Sequence, residues 1–302
     1  MKRILFFSFL TLVVFGNCNK RQQPSAGKVI GVSLLTRAHM FYRDLESGLQ
    51  EEAKKHNYEL IITAGEFELG KQIGQVEDFI ARKVDAIVIC PVDSKGIGEA
   101  VKKANAANIP VFTADIAAEG ANVVCHIASD NVQGGRLAGE YLAKVLNGKG
   151  NVAIINQPVV TSVLDRVAGF REALAKFPDI KIVADVNGQG VRDKALQATS
   201  DILQANPKLN GIFGINDDSA LGALDAVQQF KRGGISIVGY DAIAPARDAI
   251  KKGTALKADV IQYPSKIGVT TIQKISEYFG GASLPKVVPV EVGIADQKKL
   301  SE

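Results

Sequence analysis

The chain of 302 residues contains no tryptophan, only two methionines, three cysteines and three histidines. Each scarcity removes a class of function. With no Trp and 6% aromatic residues in all, a wide stacking platform for nucleic-acid bases has nothing to be built from. One of the two methionines is the initiator, which leaves no Met-rich adaptable surface. The histidines at 39, 56 and 126 and the cysteines at 18, 90 and 125 have no C-x-x-C or other ligand spacing, so no metal is expected. Cys90 and Cys125 each fall at or within an apolar β-like run and read as separate buried thiols. An excess of one charge is also missing: 36 Lys and Arg against 32 Asp and Glu give +4, too balanced for a protein that lives on phosphate backbones. Nucleic acid is therefore not expected as a partner.

Enzyme signatures are equally scarce. No G-x-S-x-G elbow accompanies a His and an acid in hydrolase order. Gly65 to Lys71 has the glycine spacing of a phosphate loop, but Gln72 stands where magnesium needs a hydroxyl, and Glu66 and Glu68 would repel the phosphates. Neither catalysis nor a cofactor is expected.

The composition, 46% hydrophobic and 23% charged, is that of an ordinary globular chain long enough for about two domains. Its first residues are an address. Lys2 and Arg3 precede an apolar run from Ile4 to Gly16, shorter than the ~20 residues that span a bilayer, so residues 1–17 read as a secretory signal. Val14-Phe15-Gly16-Asn17-Cys18 resembles a bacterial lipoprotein signal, which makes Cys18 the candidate lipid-bearing residue. Ordinary cleavage near Gly27 is the alternative, and both export the chain. Residues 18–27 form a polar tether. Removal of residues 1–17 takes away two cations and no acid, lowering the formal charge from +4 to +2.

From Lys28 onward eleven β-rich apolar runs alternate with helical stretches: Val29–Leu35, Tyr58–Ala64, Ala86–Cys90, Pro110–Ala114, Val123–Ala128, Val152–Asn156, Ile180–Val186, Gly211–Asn216, Ile235–Tyr240, Leu256–Ile261 and Val287–Val292. Continuous hydrophobicity marks strands of parallel sheets covered on both faces. The helices between them carry faces such as Leu45, Leu49 and Ala53, then Ile73, Val76 and Ile80, then Ile97, Val101 and Ala104. Five or six strands satisfy one sheet, so the expected fold is α/β with two Rossmann-like, doubly wound parallel-sheet lobes. A boundary is expected near His126–Asp130, where two strands follow each other without a helix and a helix then runs from Asn131 to Val145.

Ligands of open parallel sheets bind beyond the carboxyl ends of the strands. There the sequence places Cys90, Asp115, Asn216, Asp241 and Gln262, with Arg37, His39, Phe41 and Tyr42 after the first strand. Asp, Asn and Gln suit vicinal hydroxyls, and the two rings suit the C–H faces of a small polyol. A neutral sugar fits that set. Helix capping is the competing reading for Asn216 and for Asp93-Ser94, as a hydrophobic staple is for Phe41.

These residues also resemble a known family. Ala106-Ala-Asn-Ile-Pro-Val111, His126-Ile-Ala-Ser-Asp-Asn-Val132, the stretch Asn216–Leu224 and Val238-Gly-Tyr-Asp241 are similar to the periplasmic sugar-binding proteins of the ribose-binding class, type I substrate-binding proteins of ABC importers. The similarity runs from Val29 to Val292. It implies two lobes joined by a three-segment hinge, with residues 28–129 and 263–285 in the N-terminal lobe and 130–262 and 286–302 in the C-terminal lobe. It further implies that Phe41 and Tyr42 sandwich a sugar together with Asp115, and that Asn216, Asp241 and Gln262 contribute from the second lobe and hinge. His39 and Cys90 stand where ribose binders place asparagines, Gly190 where an aromatic closes the site, and Ile116 and Leu164 where they carry arginines. Losing two guanidinium groups argues against ribose and for a ligand with fewer hydroxyls or an apolar group, since an unpartnered buried hydroxyl costs ~1–3 kcal/mol. Arg37, His39 and Arg166 are the residues available to return donors.

The expected protein is thus a monomeric extracytoplasmic solute-binding protein, periplasmic or held to the membrane only by a lipid anchor, that delivers a sugar-like ligand to an ABC transporter permease. An exported receptor presenting the sugar to a chemoreceptor or sensor kinase is the alternative. A related sugar-responsive repressor would need a DNA-binding helix-turn-helix where this chain has its export signal.

Overall fold

The computed structural model describes residues 27–302. The signal segment, the tether up to residue 26 and Cys18 lie outside the described residues. The first lobe is built by β1 (Val29–Leu34), α1 (Met40–Lys55), β2 (Glu59–Ala64), α2 (Leu69–Ala81), β3 (Ala86–Ile89), α3 (Gly98–Ala106), β4 (Val111–Ala114) and β5 (His126–Ser129). The chain then crosses at Asp130 into α4 (Asn131–Val145), β6 (Lys149–Asn156), α5 (Thr161–Leu174), β7 (Asp179–Asn187), α6 (Arg192–Ala205), β8 (Leu209–Gly214), α7 (Asp217–Gln229), β9 (Ser236–Asp241), α8 (Ala244–Lys251) and β10 (Leu256–Ile261). It returns for α9 (Pro264–Phe279) and β11 (Val287–Val290), and crosses a last time to β12 (Gly293–Asp296).

Two six-stranded sheets result, in the orders β11-β5-β4-β3-β1-β2 and β12-β10-β9-β8-β6-β7. Every pairing is parallel except that of β12, which runs antiparallel to β10. β3 and β4 are buried at every residue, which is why their sequences show no alternation. β7, at a sheet edge, alternates and exposes much of its length.

Two expectations need correction. Residues 286–290 do not belong with the second lobe, because Val287–Val290 pairs with His126–Ser129 in the first sheet. The third crossing lies between Val290 and Gly293, so the eleventh apolar run supplies a first-lobe strand and the crossing itself, and the second-lobe strand β12 follows it. In α2 the core face is Gln72, Val76 and Phe79, with Ile73 and Ile80 only half-buried. Gln72 is drawn inward because its amide donates to Cys90 O at 3.0 Å and accepts from Val92 N at 2.9 Å; a buried amide so paired carries little desolvation penalty.

The crossings are tied together. Asp130 N donates to Val290 O at 2.9 Å, and its side chain caps α4 by accepting from Gln133 N at 3.0 Å. Next to this hinge α4 packs on α5 through glycine: a methyl at Gly135 would overlap Arg166 O and one at Gly169 would overlap Val132 O. Backbone cannot yield as a side-chain end can. Gly135→Ala and Gly169→Ala should each cost about 1–3 kcal/mol. Gly74→Ala, in α2 with nothing within 4 Å of the added methyl, should be neutral or stabilise by up to about 1 kcal/mol. Urea unfolding of the three variants checks the contrast.

Candidate functional site

Strand ends of both lobes converge on one shared space. The first lobe lines it with Leu35, His39, Phe41, Tyr42, Asp115 and Ile116; the second with Gln157, Val160, Ser162, Val163, Arg166, Ile215, Asn216 and Asp241; and Gln262 reaches it from the second crossing. About 30 Å³ is open to water centres, against the 10–15 Å³ or so that one water needs.

Asp115 and Asp241 are its carboxylates. Both take positive φ, 67° and 116°, a conformation that L-residues hold only when their surroundings over-determine it. Asp115 Oδ2 accepts from the Tyr42 hydroxyl at 2.7 Å while its Oδ1 has no partner. Asp241 Oδ1 accepts from Gln262 Nε2 at 2.6 Å, and Gln262 Oε1 is unpartnered. Burial holds both carboxyls above the usual carboxylate range, opposed by the Arg166 charge and by a side-chain hydrogen bond at each.

Arg166, 4% exposed, is the central cation. Its Nε donates to Asn131 Oδ1 at 2.9 Å and its Nη1 to Ile215 O at 2.8 Å, with Asp241 Oδ1 at 3.9 Å. The guanidinium carbon lies 3.9 Å from the centroid of the Tyr240 ring. Burial opposes the charge, yet Tyr240, Asp241 and Asp115 together raise the pKa above the ordinary arginine value.

Asn216 serves both readings: its Oδ1 caps α7 by accepting from Ser219 N at 2.8 Å, and its Nδ2 donates to Gly190 O at 2.9 Å. Phe41 and Tyr42 meet edge to face, centroids 5.1 Å apart, and form an aromatic wall. His39 stacks on Tyr42 and brings Nε2 to 3.4 Å from Asp218 Oδ2 in the other lobe, too poorly aligned for a hydrogen bond. Burial lowers its pKa, while Asp218, Glu66 and the Gly190 carbonyl act against the shift.

Four expected positions stand elsewhere. Cys90 is buried but does not line the space; its backbone N–H donates to Ser33 O, and no disulfide joins it to Cys125. Leu164 is 43% exposed, because α5 turns its neighbours Val163 and Arg166 inward instead. Arg37 faces out to Glu46, to which Nε and Nη2 donate at 2.9 and 3.0 Å. Gly190, at φ 70°, does not line the space; the Gln157 amide, which a methyl at Gly190 would overlap, stands there instead. Gln157 is the main residue that sequence reasoning missed. It follows β6 by the same strand-end rule, but the run was closed at Asn156, whose Nδ2 is taken by Asp185 at 2.8 Å.

Direct bonds also join the lobes: Ser94 N donates to Val159 O at 3.1 Å, Thr161 N to Ser94 Oγ at 3.0 Å, and Ala117 N to Thr161 Oγ1 at 3.0 Å. Ser94, which capping alone would have explained, lies in this seam. Among the described residues no cluster of His, Cys, Asp and Glu could hold a metal ion, and no helix is long and apolar enough to cross a membrane.

Comparison with known proteins gives one consistent answer. A family model described as a periplasmic binding protein domain matches residues 30–283. The ribose import binding protein of Salmonella typhimurium is 34% identical over 269 residues, 88% of this chain and 90% of its own. The xylitol-binding protein of Mycolicibacterium smegmatis is 31% identical, over 80% of this chain and 71% of its own. Among solved structures, an ABC transporter solute-binding protein of Actinobacillus succinogenes with bound D-allose superposes with a TM-score of 0.83 at 32% identity, covering 91% of this chain and 99% of that one.

The geometry around Asp115 makes a pH-dependent prediction. Its carboxyl is raised in the fold, so the folded state binds its proton more tightly, and stability falls as pH rises from about 4, the unfolded value. Tyr42→Phe removes the donor to the ionised form. It should cost about 1–3 kcal/mol at pH 8 and less at pH 4, where the protonated acid needs no donor; thermal unfolding at the two pH values measures the difference.

Proposed function

This chain belongs to the periplasmic binding protein family, and from that premise we propose that it captures a small, neutral, sugar-like solute between its lobes and delivers it to an ABC transporter permease, without chemical change to the solute. The observation that carries the reading is the polar inventory of the space between the lobes. Its unpartnered buried atoms include the acceptors Asp115 Oδ1 and Gln262 Oε1, which call for donors such as hydroxyls. Phe41, Tyr42, Ile116 and Val163 supply apolar surface for C–H faces.

Several particulars belong to the same proposal. The chain acts outside the cytoplasm as a monomer, either periplasmic or held to the membrane by a lipid on Cys18. Import, rather than presentation to a chemoreceptor or sensor kinase, is the reading its relatives favour. Ribose fits the inventory poorly, because one buried guanidinium, Arg166, must serve alone. A deoxy or methylated sugar, with fewer hydroxyls to satisfy, fits better, and its size is bounded by Gln157 at the wall where Gly190 stands.

Calorimetric titration with D-ribose, 2-deoxy-D-ribose, L-fucose, D-allose, xylitol, D-tagatose and myo-inositol, with product formation followed in parallel, tests the proposal. Binding of at least one member without turnover is expected; turnover, or no binding across the panel, overturns it. Asp241→Ala and Asn216→Ala should each weaken the tightest member by about 1–3 kcal/mol, whereas Leu164→Ala should change affinity by less than about 0.5 kcal/mol.

A further inference from the structure

The second lobe buries another pair of carboxylates that none of the cleft contacts uses. Asp217 opens α7, Asp259 lies in β10, and their exposures are 1% and 0%. Each gives one oxygen to the turn that follows β9: Ile243 N donates to Asp217 Oδ2 at 2.6 Å, and Ala242 N to Asp259 Oδ1 at 3.3 Å. The other two oxygens, Asp217 Oδ1 and Asp259 Oδ2, have no partner. Both lie over Gly239, whose added methyl would sit 3.1 Å from the first and 2.7 Å from the second. Two unpartnered carboxylate oxygens therefore converge on a space that glycine leaves open, and two buried charges so placed cannot both be ionised without large cost.

The turn they hold needs holding. Asp241 and Ala242 have φ of 116° and 57°, and backbone of that kind persists only where neighbours enforce it. We propose that Asp217 and Asp259 share a proton between Asp217 Oδ1 and Asp259 Oδ2 and act as positioning residues, fixing the turn that aims Asp241 into the cleft, so that affinity for the solute falls as that proton is lost. This rests on the reading of the cleft as a sugar site.

The surrounding charges agree in sign. Burial raises both carboxyls, with Asp259 and Asp218 raising Asp217 further; Asp259 stands at about 7, where Asp241 pushes it up while the bond from Asp217 and Arg247 of α8 pull it down. A carboxyl raised in the fold keeps its proton there longer than in the unfolded chain, so the pair's contribution is present at low pH and lost as pH rises through neutrality.

The test is the pH profile of two readouts between pH 5 and 9. One is thermal unfolding without solute; the other is calorimetric affinity for the tightest of D-ribose, 2-deoxy-D-ribose, L-fucose, D-allose, xylitol, D-tagatose and myo-inositol. In the wild type, affinity should fall above neutrality by up to about ten-fold per pH unit, and the unfolding temperature should fall with it. Asp259→Asn supplies a permanent N–H donor to Asp217 and keeps an acceptor for Ala242, so it should flatten both profiles. Asp259→Leu removes both and should weaken affinity at every pH. Asp217→Asn repeats the test from the other side should the first variant fail to fold. An affinity profile identical in wild type and Asp259→Asn overturns the positioning role. Unfolding profiles that are identical overturn the shared proton, and they do so even when no panel member binds, an outcome that by itself overturns only the sugar reading.

Discussion

A guanidinium taken out of water costs several kcal/mol even after relaxation, and the second lobe is arranged around meeting that cost for Arg166. Its partners come from three places around α5, which carries the cation: Asn131 at the start of α4, the Ile215 carbonyl after β8, and the Tyr240 ring and Asp241 carboxylate of β9. Tyr240 also donates to Asn131 Oδ1 at 3.4 Å, which closes a ring of contacts. Any shift of α5 relative to the hinge would strand one of these groups. The close glycine contacts between α4 and α5 follow from the same demand, because the helix carrying Arg166 must approach the helix that begins at the crossing.

The contacts between lobes are weak by comparison. A net hydrogen bond contributes about 0.5–1.5 kcal/mol, and the seam of Ser94, Val159, Thr161 and Ala117 offers three to the backbone. Shifting an equilibrium from mostly open to mostly closed takes ~5.5 kcal/mol of differential binding. A solute that engages Asp115 from one lobe and Asp241 from the other has both carboxylates to draw on, so the seam can guide closure while the solute drives it. Gln262, on a crossing and bonded to Asp241, ties the site to one of the segments that join the lobes.

Much of this was legible in the residues. Continuous apolar runs announced the buried strands, and the strand-end rule brought Asp115, Asn216, Asp241 and Gln262 to one edge. The errors have physical causes. Val287–Val292 is one apolar run but crosses between sheets, and only pairing with β5 reveals where. Leu164 and Arg166 sit on one helix, and their facing depends on its rotation, which the polar Arg166 decides by seeking Asn131 and Ile215 rather than water. Ser94 and Thr161 closing the lobes could not be inferred, since the bonds join segments 67 residues apart through an interface that exists only in three dimensions.

The electrostatic balance of the cleft narrows the solute further. Canonical counting by formal charge sets Asp115 and Asp241 against Arg166 alone, with His39 held toward its neutral form by burial. Arg166 gives two of its five N–H donors to Asn131 and Ile215, and Asp241 at 3.9 Å offsets its charge. A sugar acid or sugar phosphate would place its anion beside two carboxylates in a space that excludes most water, where like charges repel strongly. Protonating the carboxyls would relieve the repulsion but would turn acceptors into competing donors. A neutral polyol would meet neither penalty: its hydroxyls could donate to the unpartnered Asp115 Oδ1 and Gln262 Oε1, and such bonds would lower the raised carboxyl pKa values.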